Sequence, residues 1–332
     1  MANIFDQVVD WTPLLSLETR IPGVIGSLNL FETPDMHATD LVMVPRETND
    51  SLVIPARLRN GERNWVTSNR PEEVPFRIPF FPLDHNVKPV DVQSYRALQA
   101  GNTQVLETVA QEVSRYTNRI QRSIDATKEM IWTSAILGSA FVGSTGASNS
   151  GYNYYTAFGQ TQQVVTVDFT DDTVDPTAVI NAQARSWIAA NKKDGTSQTK
   201  IIALCGAEFF SNITSNAFTK QAYLYYQGSP NILRDRISGD ADFQVFDFGG
   251  VIYIEVDTPQ IATDEAYVLP MGIPGMFQQH YAPADTIAAA NKPALDQYLF
   301  MFEDFRTVRL QSEFALLAVN TRPELVVKVV TA

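Results

Sequence analysis

The sequence predicts an α+β fold organised around one long amphipathic helix. Residues 102–137 contain neither glycine nor proline, and their apolar side chains recur at the spacing of one helical face. Residues 65–90 instead carry five prolines among strand-like runs, a pattern typical of a ribbon at the edge of a sheet. Residues 175–257 alternate helical and strand-like segments, which indicates an α/β unit within the longer chain.

The composition is that of an ordinary globular protein, and it narrows the range of partners. The 332 residues are 45% hydrophobic and 19% charged, enough for one elaborate domain or two interlocked ones. The net charge of −12 argues against a dedicated nucleic-acid reader, because such proteins concentrate Lys and Arg on one face. Contact with DNA should therefore be weak and nonspecific. No run approaches the roughly 18–20 apolar residues of a membrane span, and no basic residue precedes Arg20, so we expect a cytoplasmic product without a secretory signal.

The first 90 residues predict two extended segments without a core of their own. Residues 1–40 alternate short apolar pieces with proline and glycine breakers, which predicts an arm that needs a partner surface. Residues 41–90 predict strands on both sides of a hairpin turn at Asn60-Gly61, a dipeptide that tolerates positive φ. A projecting two-stranded ribbon cannot bury Phe76 and Phe80 by itself, so we expect both side chains to dock on a partner.

The long helix is predicted to run from an N-cap at Asn102 or Thr103 to a stop at Gly138. About 35 residues at 1.5 Å each give roughly 50 Å, about three times the mean helix length. A coiled coil is the alternative, but the apolar stripe is not a sustained a/d heptad. The side opposite the stripe is predicted to carry basic residues: Arg115, Arg119, Arg122 and Lys128.

The second half of the chain predicts an α/β unit and a set of C-terminal strands. Asp175 caps a helix, and the run 200–206 forms a buried strand followed by helical segments as far as residue 227. Two further strands pair across Gly249-Gly250. Residues 295–332 predict three more strands, and strands of the middle and of the C-terminal end should pair in one sheet.

No pattern in the sequence predicts an active site, a cofactor or a metal centre. Cys205 lies in an apolar run, where cysteines are usually buried and inert. The Gly-rich run 143–151 lacks the lysine of a phosphate-binding loop, and no GxSxG motif occurs. Three histidines lie far apart in sequence, and none has a partner at metal-ligand spacing: His37, His85 and His280.

Two stretches resemble a known family in their order of features. One is PFRIPFFPLDHNVKP at 75–89, a Pro-rich return strand that precedes the linker VDVQSYRAL. The other is FRTVRLQSEFALLAVNTRPELVVKVV at 305–330, with a strand, a Gln-Ser step, a Pro-bearing turn and a final Val-rich strand. Together with the order of elements over nearly the whole chain, they resemble the lambda-type major capsid protein (phage major capsid protein E) family, which has the HK-ninety-seven-like shell fold.

The resemblance implies that the chain has five parts. They are an N-terminal arm at 1–40, an E-loop with flanking strands at 41–90, a peripheral domain at 91–174 that contains the spine helix 102–137, an axial domain at 175–290, and C-terminal strands at 291–332 that complete the peripheral and axial sheet.

The resemblance also implies a function, that of the major head protein of a tailed bacteriophage. Copies of such a protein form hexamers and pentamers of an icosahedral shell around double-stranded DNA, after assembly in the host cytoplasm. The implied partners are a scaffolding protein, a portal protein and, as an open alternative, a decoration protein. No lysine occurs between positions 40 and 87, so we expect no lysine crosslink between subunits, and no long helical segment precedes the arm, so we expect a separate scaffold.

Assembly contacts are expected from arginines, whose guanidinium groups bind carboxylates in a forked geometry, and from apolar anchors. The expected E-loop contacts are Arg57, Arg59, Arg63, Trp65, Arg70, Phe76 and Phe80. The expected spine-helix contacts are Arg115, Arg119 and Arg122.

Three other functions are open alternatives at this point. The first is the shell protein of an encapsulin-like cellular compartment. The second is an α/β enzyme on residues 175–290 that uses Asp247 or Cys205, because folding can assemble a site that the sequence does not reveal. The third is another virion component, such as a tail-tube or decoration protein.

Overall fold

The computed structural model has two main sheets and a set of helices that cover them. The described residues are 8–15, 23–46, 56, 59, 63–64, 73–93, 96–98, 104–106, 109–143, 151–171, 173–192, 200–220 and 244–332. The helices are α1 (Thr12–Leu15), α2 (Val24–Ser27), α3 (Pro89–Gln93), α4 (Val109–Ile136), α5 (Tyr154–Ala157), α6 (Pro176–Ile180), α7 (Ser186–Asn191) and α8 (Ala207–Ser215). The strands are β1 (Val8–Asp10), β2 (Asp35–Met36), β3 (Leu41–Pro45), β4 (Glu73–Arg77), β5 (Phe80–Val87), β6 (Arg96–Leu98), β7 (Gln104–Leu106), β8 (Gln163–Val167), β9 (Lys200–Cys205), β10 (Val245–Phe248), β11 (Val251–Glu255), β12 (Glu265–Met271), β13 (Phe277–Tyr281), β14 (Tyr298–Glu303), β15 (Val308–Asn320) and β16 (Val327–Thr331).

Strand β15 is the central strand of the first sheet. The sheet has the order β1-β14-β15-β13-β2, and β5 pairs with β15 as its sixth strand. β15 is 13 residues long, so its first part pairs with β14 and β5 and its last part pairs with β13. Every residue from Phe314 to Asn320 is buried, which indicates that both faces of the strand are covered at this end.

Helix α4 packs its apolar stripe against the first sheet. Val113, Ile120, Ile124 and Ile131 are each at most 4% exposed, and they share a core cluster with residues of β15 such as Leu316. Their spacings of seven, four and seven residues place them on one helical face. The sheet therefore buries the stripe, and no second helix is needed to explain it.

The N-terminal end of this helix was predicted wrongly. α4 begins at Val109 and not at residue 102, because the segment before it forms the short antiparallel pair β6–β7. Strand pairing and a helical turn both satisfy backbone hydrogen-bonding groups. The periodicity of the apolar residues therefore could not tell a short strand from the first turns of a helix. The C-terminal end is as predicted, since Gly138 has a left-handed φ of 89° just after the helix.

The second sheet has the order β10-β11-β9-β12-β16-β8. Strand β9 is buried on both faces, with Ile201 and Ala203 in one core cluster and Ile202 and Leu204 in another. This double burial explains its uninterrupted apolar run. The C-terminal strand β16 lies between β12 and β8, which confirms the prediction that the middle and the end of the chain share a sheet.

The predicted elements around this sheet are largely confirmed. The Asp175 carboxylate accepts a hydrogen bond from the Thr177 backbone N–H at 2.9 Å and caps α6, which continues through a π-helical turn at Asn181–Arg185 into α7. Strands β10 and β11 pair antiparallel across Gly249-Gly250. The helical segment predicted beyond residue 220 lies outside the described residues.

The N-terminal segment does not behave as an arm without a core. Ile25 is 1% exposed and belongs to a core cluster of the same chain. The Glu129 carboxylate on α4 accepts hydrogen bonds from the backbone N–H groups of Ile25 at 2.5 Å and Gly26 at 3.1 Å. Strand β1 pairs with β14 and β2 pairs with β13. The described residues of this segment therefore find the predicted partner surface on their own subunit.

The Pro-rich return strand is also part of the body and does not project as a ribbon. β5 pairs with β15 over eight positions, from Phe80 opposite Ala315 to Val87 opposite Val308. Among the described strands β5 pairs with β15 alone, and such an edge position tolerates its proline. Strands β3 and β4 form the separate two-stranded sheet that the pattern predicted. The turn predicted at Asn60-Gly61 lies outside the described residues.

Lys128 lies on the buried side of α4, although it was predicted on the polar side. The side chain is nearly buried, and its Nζ lies 2.6 Å from the Asp296 carboxylate and about 5.7 Å and 5.8 Å from the ring centroids of Tyr281 and Phe314. A lysine is assigned to solvent by default because an unpaired buried charge is costly. The partner that makes burial tolerable lies 168 residues later in the chain, beyond the reach of periodicity.

Replacing Ile124 by Ala should lower the free energy of unfolding by about 2–5 kcal/mol, because it leaves a cavity between α4 and the sheet. Ser123→Ala is the matched control, since Ser123 is exposed on the same turn, and it should change stability by no more than about 0.5 kcal/mol. Denaturant titration of the soluble subunit measures both. Equal losses would contradict the assignment of the buried face.

Glu129→Gln should change how stability depends on pH. Burial raises the pKa of the Glu129 carboxyl above its ordinary 4.5, and the N–H donors of Ile25 and Gly26 oppose this only in part. Just above pH 4.5 the folded protein therefore keeps a proton that the unfolded chain has released, so the free energy of unfolding falls as pH rises through this window.

The variant should lack that fall, and denaturant titrations over a series of pH values measure the difference from the wild type. Glu303→Gln removes an exposed carboxylate and controls for the loss of one negative charge. If the free energy of unfolding of Glu129→Gln depends on pH as that of the wild type does, the fall does not come from Glu129.

Candidate assembly surfaces

Three arginines form a basic stripe on the exposed side of α4. Arg115, Arg119 and Arg122 are four and three residues apart, so one face of the helix carries all of them, and all three are exposed. Arg115 contacts the buried Glu112 carboxylate at 2.5 Å and lies over the Tyr116 ring, 5.4 Å from its centroid. The stripe thus has one anchored guanidinium and presents planar donors that suit carboxylates of another chain.

An open groove lies beside the start of β5, and we name it the Phe80 groove. Its volume is about 760 Å³, and its lining includes the exposed apolar side chains Phe80, Val142 and Tyr152. The Asp40 carboxylate and the Arg77 guanidinium also line it and form an ion pair at 2.7 Å. Apolar surface beside polar groups is the composition of protein–protein interfaces.

Two segments between strands expose large apolar side chains almost fully. Phe305 lies between β14 and β15 and is 95% exposed, and Ile287 follows β13 and is 86% exposed. The Asp304 N–H donates to the Thr307 carbonyl at 2.9 Å and closes the turn that carries Phe305. Neither side chain gains from the hydrophobic effect until another surface covers it.

The chain matches the family model of phage major capsid protein E over residues 12–331. It belongs to the phage major capsid protein E family. The major capsid protein of Pseudomonas phage KPP10 is 28% identical to this capsid protein over 346 residues, which cover 97% of this chain and 96% of the relative.

Two solved capsid structures are similar to this chain. A capsid protein assigned to a prophage of Escherichia coli CFT073 superposes with a TM-score of 0.52 at 13% identity, over 79% of this chain and 80% of that chain. The asymmetric unit of the mature capsid of bacteriophage PhiM1 gives a TM-score of 0.49 at 12% identity, over 95% of this chain and 89% of that one. The superposition with a TM-score of 0.52 confirms the predicted α+β, HK-ninety-seven-like capsid fold.

This membership makes the chain a bacteriophage major capsid protein that is located in the virion. The family is a structural one. No helix among the described residues combines the length and the apolarity that a membrane span requires.

The E-loop residues predicted as assembly contacts have different environments. Three of them lie outside the described residues: Arg57, Trp65 and Arg70. Arg59 and Arg63 are exposed. Phe76 is 1% exposed and packs edge-on against Tyr154, 5.7 Å between ring centroids, so its own subunit buries it and it does not dock on a neighbour as predicted. Phe80, by contrast, is 42% exposed.

Some exposed residues of this capsid protein escaped the sequence analysis. Val142 directly precedes the Gly-rich run 143–151, and Phe305 lies in a short turn between two predicted strands. An aromatic residue within a polar turn was the available signal. Periodicity could not use it, because a single turn residue has no repeating pattern.

Cys205 fits the inert role that the sequence predicted for it. The side chain is 0% exposed, and burial raises the pKa of its thiol far above the range in which thiolates form at neutral pH. It lies in β9 at the centre of the second sheet and fills space in the core. The Gly-rich residues 144–150 lie outside the described part of the chain.

Phe76→Ala and Phe80→Ala should separate folding from assembly. Phe76→Ala should cost about 3–5 kcal/mol of unfolding free energy, because a fully buried ring is lost. Phe80→Ala should cost clearly less unfolding free energy than Phe76→Ala, because Phe80 is 42% exposed and Phe76 only 1%. Denaturant titration measures stability, and sedimentation velocity on the same samples measures particle formation. If Phe80→Ala destabilises the subunit as strongly as Phe76→Ala, Phe80 belongs to the core and not to the exposed lining of the Phe80 groove.

Proposed function

We propose that this capsid protein associates into hexamers and pentamers, which close into the icosahedral shell of a tailed phage around its double-stranded DNA. The observation that carries the proposal is the exposure of Phe80, Ile287 and Phe305 on a subunit whose described residues already form buried core clusters of their own. Many copies in one closed shell can bury such groups through repeated heterologous contacts. Each contact is weak, and symmetry multiplies it.

The basic stripe of α4 is a candidate for the polar part of these contacts. The net charge of −12 means that a neighbouring copy offers many carboxylates. Guanidinium groups in a row bind carboxylates in a forked geometry and fix the orientation of the partner. We propose that the E-loop of each copy also contributes, with the exposed Arg59 and Arg63 binding carboxylates on the spine helix or peripheral domain of a neighbouring copy.

The names of the capsid parts extend this proposal. Residues 1–40 would correspond to the N-terminal arm, whose described part packs on its own subunit. Residues 41–90 would be the E-loop and 102–137 the spine region, with 91–174 as the peripheral domain. Residues 175–290 would be the axial domain, and 291–332 the C-terminal strands that complete the peripheral and axial sheet. The two-sheet organisation supports the division, with the qualification that β13 pairs in the first sheet and β16 in the second.

The other proposed partners follow from the task of building a shell around DNA. A scaffolding protein would set the curvature, a portal protein would occupy one vertex, and a decoration protein could cover exposed outer surface. DNA inside the shell would meet an acidic protein, so we propose only weak, nonspecific contact with it. In this proposal the protein acts by association alone and performs no catalysis.

Purified subunits examined by sedimentation velocity and negative-stain electron microscopy test the proposal directly. The expected result is pentamers, hexamers, shells or tubes, alone or after a crowding agent or the phage scaffold is added. A protein that remains a monomer at high concentration under all of these conditions would refute it.

Arg119→Glu should raise the protein concentration needed for particle formation by at least about tenfold, because it reverses the charge in the middle of the stripe. Arg119 is exposed, so the melting temperature of the subunit should stay unchanged. Arg119→Lys is the matched control, since it keeps the charge and loses only the forked geometry. The concentration that this variant needs for particle formation should lie between those of the wild type and of Arg119→Glu. Light scattering against concentration measures all three. If Arg119→Glu forms particles at the same concentration as the wild type, the basic stripe does not lie in an interface between subunits.

A further inference from the structure

Strand pairing brings two histidines and an aspartate together from distant parts of the chain. Asp35 and His37 are two residues apart on and just after β2, so strand alternation puts both on the same face. The parallel register of β2 and β13 sets His280 opposite Asp35. The separation of 243 residues between the two histidines explains why sequence spacing gave no sign of the cluster.

The backbone holds this arrangement in place. The His37 N–H donates to the Tyr281 carbonyl at 3.0 Å, and the His37 carbonyl accepts from the Ala294 N–H at 2.9 Å. His280 is 4% exposed within the first sheet, whereas the Asp35 side chain is 67% exposed. The cluster therefore has a buried, rigid end and an end that faces solvent.

The distances suit coordination of a single ion. His37 Nε2 lies 3.0 Å from His280 Nδ1, and Asp35 Oδ2 lies 3.7 Å from the same nitrogen. One atom from each of the three side chains lies within 4.8 Å of the other two. Neighbouring ligand atoms of a tetrahedral zinc ion are about 3.3 Å apart, given Zn–N bonds of about 2.0–2.1 Å. The observed separations of 3.0 Å and 3.7 Å bracket that value.

We propose that Asp35, His37 and His280 form a binding site for a divalent transition-metal ion of the zinc class. Two imidazole nitrogens and one carboxylate oxygen are the ligands that Zn²⁺ accepts, whereas Mg²⁺ and Ca²⁺ prefer oxygen alone. The exposed side leaves room for a water molecule as a fourth ligand. A bound ion joins the N-terminal segment to β13, where β2 contributes only two paired residues. This inference does not rest on the shell function, and failure of either one leaves the other standing.

Calorimetric titration of the full-length protein, freed of metal by a chelator, with ZnCl₂ tests the site. The expected result is binding of about one Zn²⁺ per chain and a rise in melting temperature that MgCl₂ does not produce. Asp35→Asn, at an exposed position, and His37→Gln should each weaken zinc binding by more than about tenfold. His85→Gln is the matched control, because His85 is the remaining histidine of the chain and lies outside the cluster. This variant should bind zinc as the wild type does.

Two results would overturn the proposal. One is a wild-type protein that binds no zinc and shows no zinc-dependent rise in melting temperature. The other is zinc binding of equal strength in the wild type, Asp35→Asn and His37→Gln, which would assign the metal to other groups. Because Asp35→Asn changes an exposed side chain without changing its shape, it keeps the test decisive if His37→Gln fails to fold.

Discussion

Helix α4 buries Ile120, Ile124 and Ile131 against the sheet that β15 organises, and this contact fixes the position of most neighbouring elements. Strands β14, β13 and β5 all pair with β15, so they take their register from the strand that lies against the helix. The N-terminal helix α2 is held from the other direction, because Glu129 of α4 caps its first backbone N–H groups. Apolar burial supplies the driving force, and pairing to one long strand supplies the geometry.

Polar contacts inside this interface make the packing specific. Lys128 pairs with Asp296 at 2.6 Å, and the Gln297 amide donates to Gln121 at 2.9 Å. Apolar side chains alone would tolerate small shifts of a helix along a sheet, whereas buried polar pairs have one satisfied arrangement. The segment just before β14 is thereby tied to the middle of α4. A helix held at such points can serve as a rigid part in an assembly of many copies.

A shell protein has to be soluble as a free subunit and associate later, and the distribution of charge and apolar surface suits both states. The net charge of −12 makes free copies repel one another. The large apolar side chains at the surface are dispersed over the subunit, with Phe80 in a groove and Ile287 and Phe305 in two separate turns. Dispersed groups of this kind give each contact little energy, so association needs the many simultaneous contacts of a closed lattice.

The sequence by itself determined the elements whose signal is local. The stripe that ends before Gly138, the cap at Asp175 and the doubly buried strand β9 each follow from neighbouring residues, because helical faces, caps and buried runs are properties of short segments. The resemblance of 75–89 and 305–330 to a capsid family also needed only the sequence. Tertiary structure alone decided which partner each segment meets. It placed Lys128 beside Asp296, buried Phe76 in its own subunit while leaving Phe80 exposed, replaced the first turns of the predicted helix by β7, and brought His37 to His280. These outcomes depend on pairings between residues far apart in the chain, and local patterns of polarity carry no information about such distances.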